Sequence, residues 1–144
     1  MVYNIFVDTN VFLDVLLQRG THWQTAENIY LLAEQGKIKL YTSSSSLLTI
    51  MYILGMYKLP AARISEAAKD ILSFTTLTDP DNITFEIALS SKFKDKEDAV
   101  QYFTALNHGN INYFITTNLK DYKLALPQLA VLSPAALATL LVRG

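Results

Sequence analysis

Apolar positions along the chain fall into two rhythms. Short unbroken runs read as buried strands, and longer stretches with apolar residues three and four apart read as amphipathic helices. The first run, Ile5-Phe6-Val7, ends on Asp8. Thr9 and Asn10 then open a helix with Val11, Leu13, Val15, Leu16 and Leu17 available for burial. Gln18-Arg19-Gly20 breaks it, with Gly20 suited to a helix C-terminus. Thr21 is a candidate N-cap for a second helix over about 22–36, whose stripe is Trp23, Ala26, Ile29, Tyr30 and Ala33, and Gly36 ends it. Ile38–Tyr41 is a second strand. One of the hydroxyls of Ser43 to Ser46 caps a third helix over about 45–58. Its Leu47, Leu48, Ile50, Met51, Ile53 and Leu54 are apolar nearly all round and predict deep packing.

Pro60 fits the first turn of a fourth helix over about 60–73, with Ile64, Ala67, Ala68, Ile71 and Leu72 on one face. Phe74–Leu77 is a further strand, Asp79-Pro80-Asp81-Asn82 is turn chemistry, and a short helix follows over about 82–90. The acidic segment Phe93-Lys94-Asp95-Lys96-Glu97-Asp98 opens a helix to about Asn107, ended by His108-Gly109-Asn110. A strand over Asn112–Thr116, a last strand over about 129–132 and an Ala/Leu-rich C-terminal helix complete the order. Alternating short runs and helices predict an α/β fold. It is a three-layer α/β/α sandwich on a central, mostly parallel sheet of four to five short strands. No repeat or linker divides the 144 residues, so one domain is expected.

Composition narrows the function. Hydrophobic residues make up 51% and charged residues 17%, a folded and rather apolar chain. No run approaches the ~18 apolar residues of a membrane span, and no signal peptide is legible at the N-terminus. With no cysteines, disulfides and thiolate catalysis are excluded, which fits a reducing, cytoplasmic setting. His22 and His108 are too few for a histidine cage. A net charge of -1 lacks the global basicity of a DNA-coating protein.

Three acidic sites occupy matching places. Asp8 follows the first strand, Asp98 lies in the first turn of a helix, and Asp121 follows a late strand with Asn118 beside it. Parallel strand ends point one way, so these residues can converge on one edge, where open α/β sheets bind ligands. Clustered carboxylates repel unless a hard divalent cation neutralises them, and oxygen ligands suit Mg²⁺ or Mn²⁺. Lys94, Lys96, Lys120 and Lys123 would rim that centre and meet phosphates. Each acid taken alone has a structural account. Asp8 suits a helix N-cap, and Asp95 with Asp98 three residues on suits an N-cap with an acid at the third helical position.

Three blocks carry a family resemblance. They are Val7-Asp8-Thr9-Asn10-Val11-Phe12-Leu13-Asp14, then Lys94-Asp95-Lys96-Glu97-Asp98-Ala99-Val100-Gln101-Tyr102, then Phe114-Ile115-Thr116-Thr117-Asn118-Leu119-Lys120-Asp121-Tyr122. In order and spacing the chain resembles PIN domains, the nuclease fold of VapC-type toxins of toxin–antitoxin pairs. The resemblance implies a metal-dependent endoribonuclease using Mg²⁺ or Mn²⁺. Asp8, Asp98 and Asp121 would hold the metal, and Asn118 would stand with them among the catalytic residues. Asp95 and Glu97 come second, and Asp14 is taken as structural or supporting. RNA would be the substrate and a small antitoxin the partner. The apolar composition and the Ala/Leu-rich helices leave room for a homodimer face as well. Many members carry a Glu in the third helix. The matching position here is about Thr49, and no acid lies between Tyr41 and Arg63. That departure keeps open a catalytically degenerate PIN domain that binds RNA or protein. A phosphotransfer receiver or a haloacid-dehalogenase-like phosphatase also places an acid after the first strand. The phosphatase pattern, however, wants a second acid where Asn10 stands, and no Gly-rich phosphate loop follows.

Overall fold

A computed structural model describes residues 2–143. Five strands, β1 (Tyr3–Val7), β2 (Ile38–Thr42), β3 (Thr75–Leu77), β4 (Tyr113–Ile115) and β5 (Ala130–Leu132), form one sheet in the order β3-β2-β1-β4-β5. Every pairing is parallel. Seven helices among the described residues connect and cover them: α1 (Thr9–Leu16), α2 (Trp23–Glu34), α3 (Ser44–Met56), α4 (Ala61–Phe74), α5 (Asn82–Ser90), α6 (Lys96–His108) and α7 (Pro134–Arg143). None is long and apolar enough to cross a membrane. The α/β/α sandwich and its parallel sheet match the sequence-based expectation.

The side-chain alternation of β1 divides the core. Ile5 and Val7 point into a cluster with Leu13, Ile29, Ile50, Ile71 and Leu137, supplied by α1, α2, α3, α4 and α7. Phe6 points the other way, into an aromatic cluster with Phe93, Tyr102, Phe103, Phe114 and Tyr122. Phe6 and Phe114 are partners in the parallel register and stack with centroids 5.4 Å apart. Strands buried on both faces read as continuous apolar runs, as this one does.

Caps set several helix boundaries. Ser43 accepts from the Ser46 amide at α3, Asp81 from Thr84 at α5, and Asp95 from Asp98 at α6. Gly109, at φ +85, ends α6 in the left-handed conformation that glycine adopts without steric penalty. Thr21 does not cap α2. His22 occupies that position and offers no side-chain hydrogen bond. After α1 the left-handed turn is taken by Gln18, at φ 48, with Gly20 two residues beyond.

One packing expectation fails. α3 is not buried all round: only Ser46, Ile50 and Leu54 are, while Leu48, Tyr52 and Met56 are 65%, 70% and 64% exposed. Their spacing of four puts them on one outward face. α5 likewise leaves Ile83, Phe85, Ile87 and Leu89 exposed.

Leu13 has no solvent exposure and lies in the larger cluster. Leu13→Ala is expected to lower unfolding stability by about 3 kcal/mol. Urea denaturation reads this, and a loss under about 1 kcal/mol would mean the site collapses around the smaller side chain.

Candidate active site

From β1 the chain steps outward to β2 and β3, then crosses back to β4 and β5 on the other side of β1. The strand order therefore reverses between β1 and β4. Crevices at the carboxyl ends of such strands are the usual ligand sites of open α/β sheets. Asp8 follows β1 there, and Thr116, Asn118 and Asp121 follow β4.

Asp8 is 5% exposed and held on both oxygens. The Thr9 amide donates to Oδ1 at 2.9 Å, making Asp8 the N-cap of α1. The Thr116 hydroxyl donates to Oδ2 at 2.7 Å. Parallel register explains the second bond. Val7 pairs with Ile115, and the Asp8 amide donates to the Ile115 carbonyl at 3.0 Å, so the next residue on β4's side is Thr116. The same hydroxyl accepts from the Asn118 amide at 3.1 Å. Asn118 thus sits at the head of a 3₁₀ turn over Leu119–Tyr122 that carries Asp121. Burial raises the Asp8 pKa, against the lowering effect of the Thr116 and Thr9 bonds.

Asp98 comes from the opposite layer. It occupies the third position of α6, and its amide donates to the capping Asp95 side chain at 3.0 Å. Half-buried, it has its pKa pushed up to about 7 by desolvation first, then by the charges of Asp8, Asp95 and Asp121. Asp8, Asp98 and Asp121, foreseen as a group, therefore lie within electrostatic reach of one another. Asp121 is exposed and is the weakest of the three influences on Asp98. Asp14 is not part of the group: it pairs with Arg19 at 2.8 Å.

A groove of about 610 Å³ opens over Asp8 and Asp98. Thr9, Asn10, Ser45, Thr49 and Gln101 give it polar walls, and Ile53, Phe85, Leu89 and Val100 apolar ones. Thr49, on the third helix that carries no acid, faces this groove. Lys96 and Glu97 line it as well, although the Lys96 ammonium donates to the Ser91 carbonyl at 2.9 Å. Lys94, Lys120 and Lys123 are exposed and do not line it.

Two side-chain contacts that no sequence pattern reveals tie the walls together. The Gln101 amide donates to the Ser43 hydroxyl at 2.9 Å, and the hydroxyls of Thr9 and Ser46 meet at 2.7 Å. Gln101 lies one helical turn beyond Asp98, a spacing that puts both on one face. The Thr116 contact with Asp8 depends on strand register and is not legible in the sequence.

The donors around Asp8 and Asp98 are all oxygens, the set that hard divalent cations take. Among the described residues the one ion pair is Arg19–Asp14, so no lysine or arginine neutralises Asp8, Asp98 or Asp121. The hydroxyl of Tyr122, buried beside both acids, has no hydrogen-bond partner among the described residues. These features fit a cation. No three His, Cys, Asp or Glu side chains among the described residues close into a ready cage. The site is two facing carboxylates with a third further out.

A family model described as PIN domain matches residues 4–120. Among solved structures, the chain is similar to a chain in the crystal structure of VapBC2 from Rickettsia felis bound to a DNA fragment from their promoter. The TM-score is 0.63 at 17% identity, covering 90% of this chain and 98% of that one, so the likeness is one of fold. No curated protein matches the chain in sequence.

Asp98 sets a pH dependence. Its ordinary value is near 3.8, and in the fold it is about 7. The folded, metal-free chain therefore keeps a proton that the unfolded chain releases, and stability falls as pH rises from about 4 to about 7. Asp8, also raised, acts in the same direction. In chelator, the thermal midpoint of Asp98→Asn is expected to exceed that of the wild type at pH 8 by more than at pH 5. A gap independent of pH would contradict the shift.

Proposed function

The chain belongs to the PIN-domain family, and from that membership we propose that it is a metal-dependent endoribonuclease, the toxin of a toxin–antitoxin pair. The observation that carries this reading is the convergence of Asp8, Asp98 and Asp121 at the switch point with no cationic side chain among the described residues to neutralise them. Asp8 and Asp98 would hold Mg²⁺ or Mn²⁺, with Asp121 as the third carboxylate. When bound, such an ion lowers the pKa of a coordinated water and offsets charge on a phosphodiester under attack.

The chain's own residues supply orientation. Thr116 and the Thr9 amide fix both oxygens of Asp8, so its carboxylate does not need to reorganise. Asp95 anchors the first turn of α6 and so aims Asp98. Asn118, linked to Thr116 through its amide, heads the turn that carries Asp121. Phe85 and Leu89 border the groove, where unpaired bases of single-stranded RNA can stack or pack. Lys94, Lys120 and Lys123 are free of the groove wall and suit backbone phosphates.

The exposed apolar faces of α3 and α5 are more than scattered surface residues, and such patches commonly mark protein contacts. An antitoxin covering α5 would occlude the groove. A second copy of this chain would cover Leu48, Tyr52 and Met56.

A second reading has one observation in its favour: Thr49 faces the groove where a carboxylate would add charge. Metal affinity follows ligand charge, so a binding module with little catalysis is the alternative.

Purified chain, mixed single-stranded RNA, and Mn²⁺, Mg²⁺ or chelator test the proposal. Cleavage should require metal and fall at least about a hundredfold in Asp8→Asn and Asp98→Asn, a loss of about 2.7 kcal/mol or more in transition-state stabilisation. Asn caps a helix as well as Asp does, so Asp8→Asn should stay folded. Undiminished cleavage by both variants would refute the assignment. Thr49→Glu is expected to tighten Mn²⁺ binding about tenfold or more and to raise cleavage. A chain that cuts RNA neither as wild type nor as Thr49→Glu would favour the binding module.

A further inference from the structure

Among the described residues the hydroxyls of Tyr30, Thr75 and Tyr122 are buried without a hydrogen-bond partner, and of these Tyr122 lies beside Asp8 and Asp98. Its ring is 3% exposed and locked among aromatic neighbours, with centroids 4.9 Å from Phe114, 6.1 Å from Phe93 and 6.4 Å from Tyr102. Its hydroxyl is buried and makes no hydrogen bond among the described residues. It nonetheless faces both Asp8 and Asp98, close enough for its O–H to favour the charged form of each without a well-formed hydrogen bond to either. The neighbouring Tyr102 is the contrast. Its hydroxyl donates to the Leu129 carbonyl at 2.8 Å and accepts from the Leu126 amide at 2.7 Å.

A buried hydroxyl without a partner destabilises a fold, and phenylalanine would fill the same aromatic space without that penalty. The group whose retention works against stability is therefore the one aimed at two acids. A tyrosine hydroxyl is protonated at neutral pH, so the group is a donor. Both oxygens of Asp8 already accept one bond, leaving lone pairs for a cation and for one more donor.

Building on the metal-site reading, we propose that Tyr122 is a positioning residue whose hydroxyl donates to the facing carboxylates of Asp8 and Asp98 and holds them in ligating geometry when a divalent cation binds. In this role it offsets part of what α3 lacks at Thr49. Donors behind metal-ligating carboxylates typically contribute ten- to a hundredfold in metal affinity.

The test is calorimetric titration of the full chain with MnCl₂, for wild type, Tyr122→Phe and Tyr102→Phe, beside the thermal midpoint of each without metal. Tyr122→Phe should bind Mn²⁺ at least about tenfold more weakly while its metal-free midpoint is unchanged or higher. Tyr102→Phe, which loses satisfied bonds, should melt lower and yet bind Mn²⁺ within about threefold of wild type, as expected of a change that leaves the donors behind the ligands intact. Binding by Tyr122→Phe within about threefold of wild type overturns the proposal and leaves the nuclease reading standing. An equal loss in Tyr102→Phe also overturns it, since the aromatic layer would then be responsible. If Tyr102→Phe does not fold, the Tyr122→Phe titration alone decides. No Mn²⁺ binding by the wild type overturns both this role and the metal site it serves.

Discussion

The bond from the Thr116 hydroxyl to Asp8 joins the two strands between which the sheet reverses its order. Much else hangs on it. β1 is paired on both sides and buried on both faces, so its end has almost no freedom. Asp8 inherits that rigidity, spends one oxygen on the first amide of α1 and the other on β4's side. Thr116 in turn holds the amide of Asn118 and so starts the turn that presents Asp121. One short hydroxyl contact thus couples a strand end, a helix start and a loop into a single rigid edge.

Against that rigidity stands like-charge repulsion. Asp98 is brought toward Asp8 by the packing of α6 on the aromatic face, where Ala99, Tyr102 and Phe103 are buried. The apolar contacts fix the helix, and the helix fixes an acid where its charge is unwelcome. The raised pKa of Asp98 is the measure of that conflict, since burial and three neighbouring carboxylates all favour its neutral form. Sites whose local chemistry opposes the stability of the fold are where function is to be sought. On the metal-site reading, a divalent cation would resolve the conflict with the oxygen donors already in place.

Much of this could be read before the fold was seen. Ile5-Phe6-Val7 has the unbroken apolarity of a strand buried on both faces, and Asp8 follows it directly. Asp95 and Asp98 carry a spacing that marks a helix start whatever the surroundings. What escaped depends on pairing in space. Thr116 acquires its role through register with β1. Gln101 acquires its role through a serine far away in the chain. α3 was misjudged because apolar content does not say what a face is packed against: Leu48, Tyr52 and Met56 look like core by composition and are open to solvent. Apolar residues on an open face and apolar residues of the interior share one chemistry.

Tyr122 shows the same ambiguity at one side chain. By type it belongs to the aromatic layer, and its ring does pack there against Phe114. The phenyl part accounts for that packing in full, which leaves the oxygen to be explained. Tyr102, in the same layer, shows that this environment can satisfy a hydroxyl through loop backbone groups. Tyr122 has no such backbone partners among the described residues, and it faces two acids that already repel one another. A donor left open toward two carboxylates is placed to act when those carboxylates change what they bind. The mismatch between a well-packed ring and an open oxygen is what sets Tyr122 apart from Tyr102.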